Sequence, residues 1–470
     1  MGYFRLFLAL SVAVRHMGIP YTFFLRGQVA VISFFIISGF FMALVINGKY
    51  HTSGDAGWKW SFYKSRALRV FPVYFVGLAL MAGWMASKGH PTVYTANLGF
   101  GYLFQSAMML MNTFTLGLDW MMLVNVVLLD QVFDPNRVVL FWSLSDTLRS
   151  GIYIILPFAW ALSTILTFYL LAPFVVKSLG RILILGLASL ALRMAIVFSP
   201  DLFSSWGWEY FFSPAHMVFF CMGALAYHLY LPIRQWPGAG RVGMAAMGAL
   251  FIIFIGSIIL EGGIFMGGGF DYHDRPQYWL YYIAITLCIP FMIVASKSWA
   301  GDRLAGELSY PMYIIHPIIL LWLYDYVPME QPLWQMLVII IVLLSSWALL
   351  VLVDRPIQAW RTGADSMAAS GIKKRSAGIR WAPLPLAGAL LVASLFIVLM
   401  DEPLASPPVF IKGNDDFKVA YHKERYFAFP RMWNLLLTRE DIRKIEQSAS
   451  GASREEAMEV ARRQPRGEAP

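Results

Sequence analysis

Arg5 and His16 bracket the stretch RLFLALSVAVRH, an apolar run in which ionisable side chains need a partner or a task. On insertion scales a charged group at the bilayer centre costs roughly 2.5–3.5 kcal/mol. The two residues are eleven positions apart, about three turns of helix. That spacing puts them on one face, separated by roughly 16 Å along the axis. Arg15 falls on a different face and is assigned no role. A guanidinium binds oxyanions, and an imidazole takes a proton from a hydroxyl or carries an acyl group. The same pair also fits a basic anchor at the membrane surface and a satisfied interior histidine, and this stretch alone does not separate the readings.

Four further constellations carry polar chemistry in apolar surroundings. FYKSRALRVFPVYF places Lys64, Arg66 and Arg69 just before a span, with Arg66 and Arg69 three apart on one helical face. Such a pair grips a polyanion through bidentate contacts, or else stops a helix at the membrane surface. SFFIISGFFMA holds Ser38 beside Gly39, a pairing that lets another backbone approach closely. WALSTILTFYLLAPFVV contributes Trp160, Ser163 and Tyr169. SYPMYIIHP, read as the start of a span, spaces Ser309, Tyr313 and His316 at i, i+4 and i+7, one face of a helix. Packing accounts for these residues as well as chemistry does. The VDRP element ends a later span, with Asp354 placed to cap it or to pair with an arginine. His216 and His228 show no metal-ligand spacing, and no metal site is expected.

The elements that position these residues are membrane helices. The chain is 58% hydrophobic and 14% charged over 470 residues, with long apolar runs along most of its length. Spans are expected at 4–23, 28–47, 70–88, 153–176, 181–199, 211–231, 242–260, 278–296, 309–326, 334–353 and 382–400. The fold class is therefore an all-α polytopic membrane protein, a bundle of about eleven transmembrane helices with a short extracytoplasmic C-terminal tail. The net charge of +9 is read as topology rather than as a nucleic-acid footprint. Loops 48–69, 177–180, 232–241, 297–308 and 354–381 carry sixteen Lys and Arg, whereas the opposite loops 24–27, 89–99, 200–210, 261–277 and 327–333 carry only Arg26 and Arg275. That asymmetry makes the N-terminus cytoplasmic and the segment after residue 400 extracytoplasmic.

Segment 100–133 is apolar but does not fit the alternation. It is either re-entrant or interfacial, or an extra pair of helices at 100–117 and 120–133, so the count ranges from eleven to thirteen. Residues 1–360 read as one membrane domain, 361–381 as a basic cytoplasmic linker, 382–400 as an additional span and 401–470 as a tail that is partly disordered or helical.

Taken in order, these segments resemble the acyltransferase-3 family of integral membrane acyltransferases over about residues 2–360. The likeness rests on the Arg5 and His16 spacing, Ser38–Gly39–Phe40, the RxxR of Arg66 and Arg69, WALSTILTFYLLAP, FFCMGALAYHLY, AGELSYPMYIIHP and VDRP. The resemblance implies an acyltransferase, transferring groups other than aminoacyl groups, in the bacterial inner membrane. Its donor would be a cytoplasmic acyl-CoA, commonly acetyl-CoA, as cosubstrate with no permanently bound cofactor. The acceptor would be a hydroxyl of a cell-surface or secreted glycan or its lipid-linked precursor, with the polysaccharide-biosynthesis machinery as a further partner. His16 would be the essential histidine, Arg5 its companion, and Arg66, Arg69 and Lys64 the donor-binding cations. Ser38, Tyr169, Ser309, Tyr313 and His316 would support them. One departure stands out: the family usually has an acidic residue where this chain has Ile165. A transporter, or an inactive partner of a polysaccharide synthase, are the alternatives.

Overall fold

The computed structural model describes residues 1–17, 25, 27–50, 57–87, 102–131, 155–199, 203, 207–259, 276–324, 332–361 and, in the tail, 409–411, 417–422, 425–430, 449–451 and 456. Up to residue 361 these residues are helical apart from short connections. The helices are α1 (Gly2–His16), α2 (Gly27–Val45), α3 (Trp58–Ser87), α4 (Tyr102–Phe114), α5 (Leu118–Gln131), α6 (Trp160–Val175), α7 (Leu179–Phe198), α8 (Gly207–Phe211), α9 (Ser213–Ile233), α10 (Ala239–Ile259), α11 (Pro276–Ser296), α12 (Ala300–Tyr324) and α13 (Pro332–Leu349). π-Helical turns at Ile46–Tyr50 and Leu350–Asp354 extend α2 and α13.

Among the described residues, seven helices are long and apolar enough to cross a membrane: Gly27–Tyr50, Trp58–Ser87, Leu179–Phe198, Ser213–Ile233, Tyr278–Ser296, Ala300–Leu323 and Leu333–Arg361. The protein is thus a multi-pass helical membrane protein. The expected span at 382–400 lies outside the described residues. Three helices run past their expected bounds. The third span begins at Trp58 rather than at 70, so Lys64, Arg66 and Arg69 stand on a helix instead of in a loop. WKWSFYKSRALR contains no glycine or proline, and nothing in it stops the helix until Pro72, which α3 accommodates internally. α12 begins at Ala300, so SYPMYIIHP lies in mid-helix rather than near its start. α13 continues through VDRP by way of the π turn, which holds Asp354 inside the helix instead of capping it.

Segment 100–133 resolves into α4 and α5, joined through Thr115 at φ 60° and Gly117 at φ 90°. Gly117 is suited to that left-handed turn because it has no Cβ. The two helices have 13 and 14 residues, about 20 Å each and too short to cross hydrocarbon roughly 30 Å thick.

Two packing contacts locate the site. α1 lies along α12 and α2, which brings the first helix against a partner some 300 residues later in sequence. α2 crosses α9 at a reciprocal glycine contact: a Cβ on Gly39 would sit 1.9 Å from the Phe220 carbonyl oxygen, and one on Gly223 would sit 1.8 Å from that of Ile36. The SGF element is therefore a packing device, with two backbones in direct contact.

The tail departs from the expectation of helix or disorder. β1 (Val409–Ile411), β2 (Phe417–His422), β3 (Arg425–Pro430) and β4 (Ala449–Gly451) form an antiparallel sheet in that order, with His422 paired to Arg425 and Val409 to Tyr421. FKVAYH and RYFAFP are rich in aromatic and β-branched residues, which favour strands.

Candidate active site

α1 carries functional groups at both ends and is continuous between them, so Arg5 and His16 do share a face roughly 16 Å apart. At the Arg5 end, four helices converge. The Arg5 guanidinium lies 5.9 Å from the Phe41 ring centroid and within electrostatic reach of Arg69 and Tyr169. The Tyr169 hydroxyl sits beside Ser38, facing Arg5, Arg66 and Arg69. Arg5, Ser38, Arg66 and Arg69, from α1, α2 and α3, are thus gathered within reach of Tyr169 on α6.

The charges there do not balance. Arg69 Nη1 donates to Asp354 Oδ2 at 2.5 Å, and Asp354 Oδ1 accepts from Gln358 at 3.1 Å. Arg66 reaches Ser65 Oγ at 3.4 Å and lies over the Phe62 ring, while its buried Nε has no hydrogen-bond partner among the described residues. Among the described residues neither Arg5 nor Arg66 has an ion pair. Arg361, which sequence reasoning missed, adds a further cation by donating to Ser65 Oγ at 2.8 Å. Its signal was its position two turns after Asp354, legible only once α13 runs past VDRP. Lys64 stands apart: it is exposed and two residues from Arg66, hence on another face of α3.

At the other end, His16 meets His316. Their rings are stacked, with centroids 5.2 Å apart and planes 13° from parallel, and His16 Nδ1 lies 3.0 Å from His316 Nε2. His316 is 0% exposed, and its Nδ1 is 3.0 Å from the Met312 carbonyl oxygen. His16 itself is exposed. Tyr313 holds the neighbouring wall by donating to the Phe158 carbonyl at 2.5 Å, and the Phe158 ring lies 6.0 Å from that of His316. Ser309 does not join them, because its hydroxyl donates to Gly306 of its own helix at 2.8 Å. Arg15 is within electrostatic reach of His16 and of Tyr210, whose ring packs on Trp160 at 4.6 Å. The face argument had set Arg15 aside, but the end of α1 brings it back to the rim of the site.

Ile165 is half-buried and packed against the hydrophobic core, so no carboxylate arises there. A buried carboxylate does lie against the same helix: Asp119 Oδ1 accepts from Ser163 at 2.5 Å, and Ser163 Oγ in turn accepts the Gly117 amide at 3.0 Å. Asp119 is 0% exposed and its Oδ2 has no described partner. Among the described residues no group of three His, Cys, Asp or Glu could hold a metal ion.

A bundle of membrane-spanning helices, with a cationic cluster at one end of α1 and a histidine pair at the other, makes this a polytopic membrane protein with a candidate internal site. Residues 2–351 match the family model of the acyltransferase domain, acyltransferase-3, and the chain belongs to that family of membrane acyltransferases. Neither a curated protein nor a solved structure matches it.

Proposed function

We propose that the chain is an inner-membrane O-acyltransferase that moves an acyl group, acetyl in the first instance, from acyl-CoA to a hydroxyl of a glycan or its lipid-linked precursor. The group transferred is not an aminoacyl group. The observation that carries the reading is α1 itself, with the Arg5 guanidinium, which has no ion pair among the described residues, at one end and a histidine about 16 Å away at the other. CoA is rich in phosphate, and Arg5 and Arg66, which have no ion pair among the described residues, suit its head; such bonds are charge-assisted and in part bidentate. The extended pantetheine arm then runs along α1 towards His16. With Lys and Arg on the inner side, the N-terminus is cytoplasmic, the donor enters from the cytoplasm and the tail is extracytoplasmic.

His16 serves as general base for the acceptor hydroxyl. As its proton moves to the imidazole, the hydroxyl oxygen bonds to the thioester carbonyl carbon, the carbon–sulfur bond breaks, and the same proton passes to the CoA thiolate. General-base catalysis is worth about 100- to 10,000-fold. His16→Ala should therefore remove acyl groups from the envelope glycans, read by mass analysis against a deletion strain, while the protein still inserts in normal amount. Persistence of the acyl mass in that variant would refute the reading. An inactive partner of a synthase would bind acetyl-CoA without turnover, and glycans from the deletion strain would then lack no acyl mass.

A further inference from the structure

His16 and His316 form a hydrogen-bonded pair whose tautomers are set by a third group. A carbonyl oxygen only accepts, so the 3.0 Å contact to Met312 requires His316 Nδ1 to carry a hydrogen. In the neutral ring Nε2 is then the acceptor, and the 3.0 Å contact between the rings requires His16 Nδ1 to be the donor. His16 Nε2 is left with the lone pair, on an exposed ring and with no hydrogen bond among the described residues.

We infer that His316 is a positioning residue that locks His16 in the Nδ1–H tautomer, so that one nitrogen, His16 Nε2, both takes the acceptor's proton and returns it to the thiolate. This rests on the acyltransfer reading above. The chain from His16 Nδ1 through His316 ends on the Met312 carbonyl, which has no proton to give and cannot hold one. A proton gained at Nε2 has no exit along the pair and leaves from where it arrived. Base and acid are the same atom at two moments, which matches a transfer that releases CoA as the thiol without net proton uptake. The same dead end argues against the pair as a link in a transmembrane proton path, which needs a through route.

Two substitutions separate positioning from packing. His316→Gln keeps an acceptor where Nε2 stood, and His316→Leu removes it. Using release of CoA thiol from acetyl-CoA, His316→Leu is expected to lower kcat about 100-fold with the KM for acetyl-CoA unchanged, and His316→Gln to stay within about tenfold of the parent. Carbethoxylation by diethyl pyrocarbonate supplies a readout independent of turnover. The parent and His316→Gln should take one adduct at His16, and His316→Leu, with both nitrogens open, should take two. Equal loss in both variants, or two adducts on His16 of the parent, would overturn the inference. A parent that takes the single adduct but never releases thiol would refute the acyltransfer reading and leave the tautomer assignment standing.

Discussion

Arg66 and Arg69 are alike in sequence and unlike in what their removal tests. Arg69 is held by Asp354, whose side chain is 3% exposed, and its loss leaves that carboxylate buried without a partner. Breaking a buried pair from one side costs about 3–5 kcal/mol. Arg69→Ala therefore mixes stability with donor binding. Arg66 has no ion pair to lose, so Arg66→Ala should raise the KM for acetyl-CoA about tenfold, the loss of roughly 1.4 kcal/mol from one charge-assisted contact, with little change in melting temperature. Steady-state kinetics with a thermal melt on the same preparation checks both halves. An unchanged KM would remove Arg66 from the donor site. Asp119 calls for a second test, since it is a buried carboxylate on α5 that lies against α6, the helix carrying Ile165. Asp119→Asn keeps the Ser163 hydrogen bond and removes the charge; a fall in kcat alone would give that carboxylate a part in the reaction, and full activity would leave it structural. His16 and His316 were both legible as candidate residues from apolar context and helical spacing. Their contact was not, because nothing local relates positions 300 apart and only the packing of α1 on α12 joins them.

The helices explain why some motifs are tight in spacing without being chemical. Gly39 and Gly223 let α2 and α9 meet backbone to backbone, and any side chain there must push the helices apart. Gly39→Val should cost about 1–3 kcal/mol or abolish folding, whereas Gly83→Ala, where an added Cβ meets nothing within 4 Å, should be neutral or slightly stabilising. Thermal melts of the two variants by size-exclusion chromatography in detergent make the comparison, and equal melting temperatures would contradict it. Hydropathy located most of the described spans but erred at their ends. In WKWSFYKSRALR the charge that lowers hydropathy does not end the helix, because Lys and Arg have good helix propensity and the segment has no breaker. In the tail, interspersed charges break the period-2 pattern, and the pairing of β2 with β3 emerges only from the register of their aromatic and β-branched residues.

At the scale of the molecule, the proposed reaction needs donor and acceptor to arrive from different directions. The cationic cluster joins α1, α3, α6 and the end of α13, and the histidine pair joins α1 and α12 beside Phe158. α1 is the element common to both. The orientation proposed from the distribution of Lys and Arg has a direct consequence for the tail. In a background with Cys221 and Cys288 replaced, Ser450→Cys should react with a membrane-impermeant maleimide in intact spheroplasts, and a cysteine that reacts only after lysis would reverse the topology. The central claim is that an acyl group passes from CoA to a glycan hydroxyl with His16 as general base. Its most direct test is the movement of labelled acetyl from acetyl-CoA to envelope glycans by purified, membrane-reconstituted protein, comparing the parent with His16→Ala. The expected result is label in the glycan with stoichiometric free thiol for the parent, and a loss of at least about 100-fold for the variant at unchanged acetyl-CoA binding. Equal transfer by both proteins would contradict it.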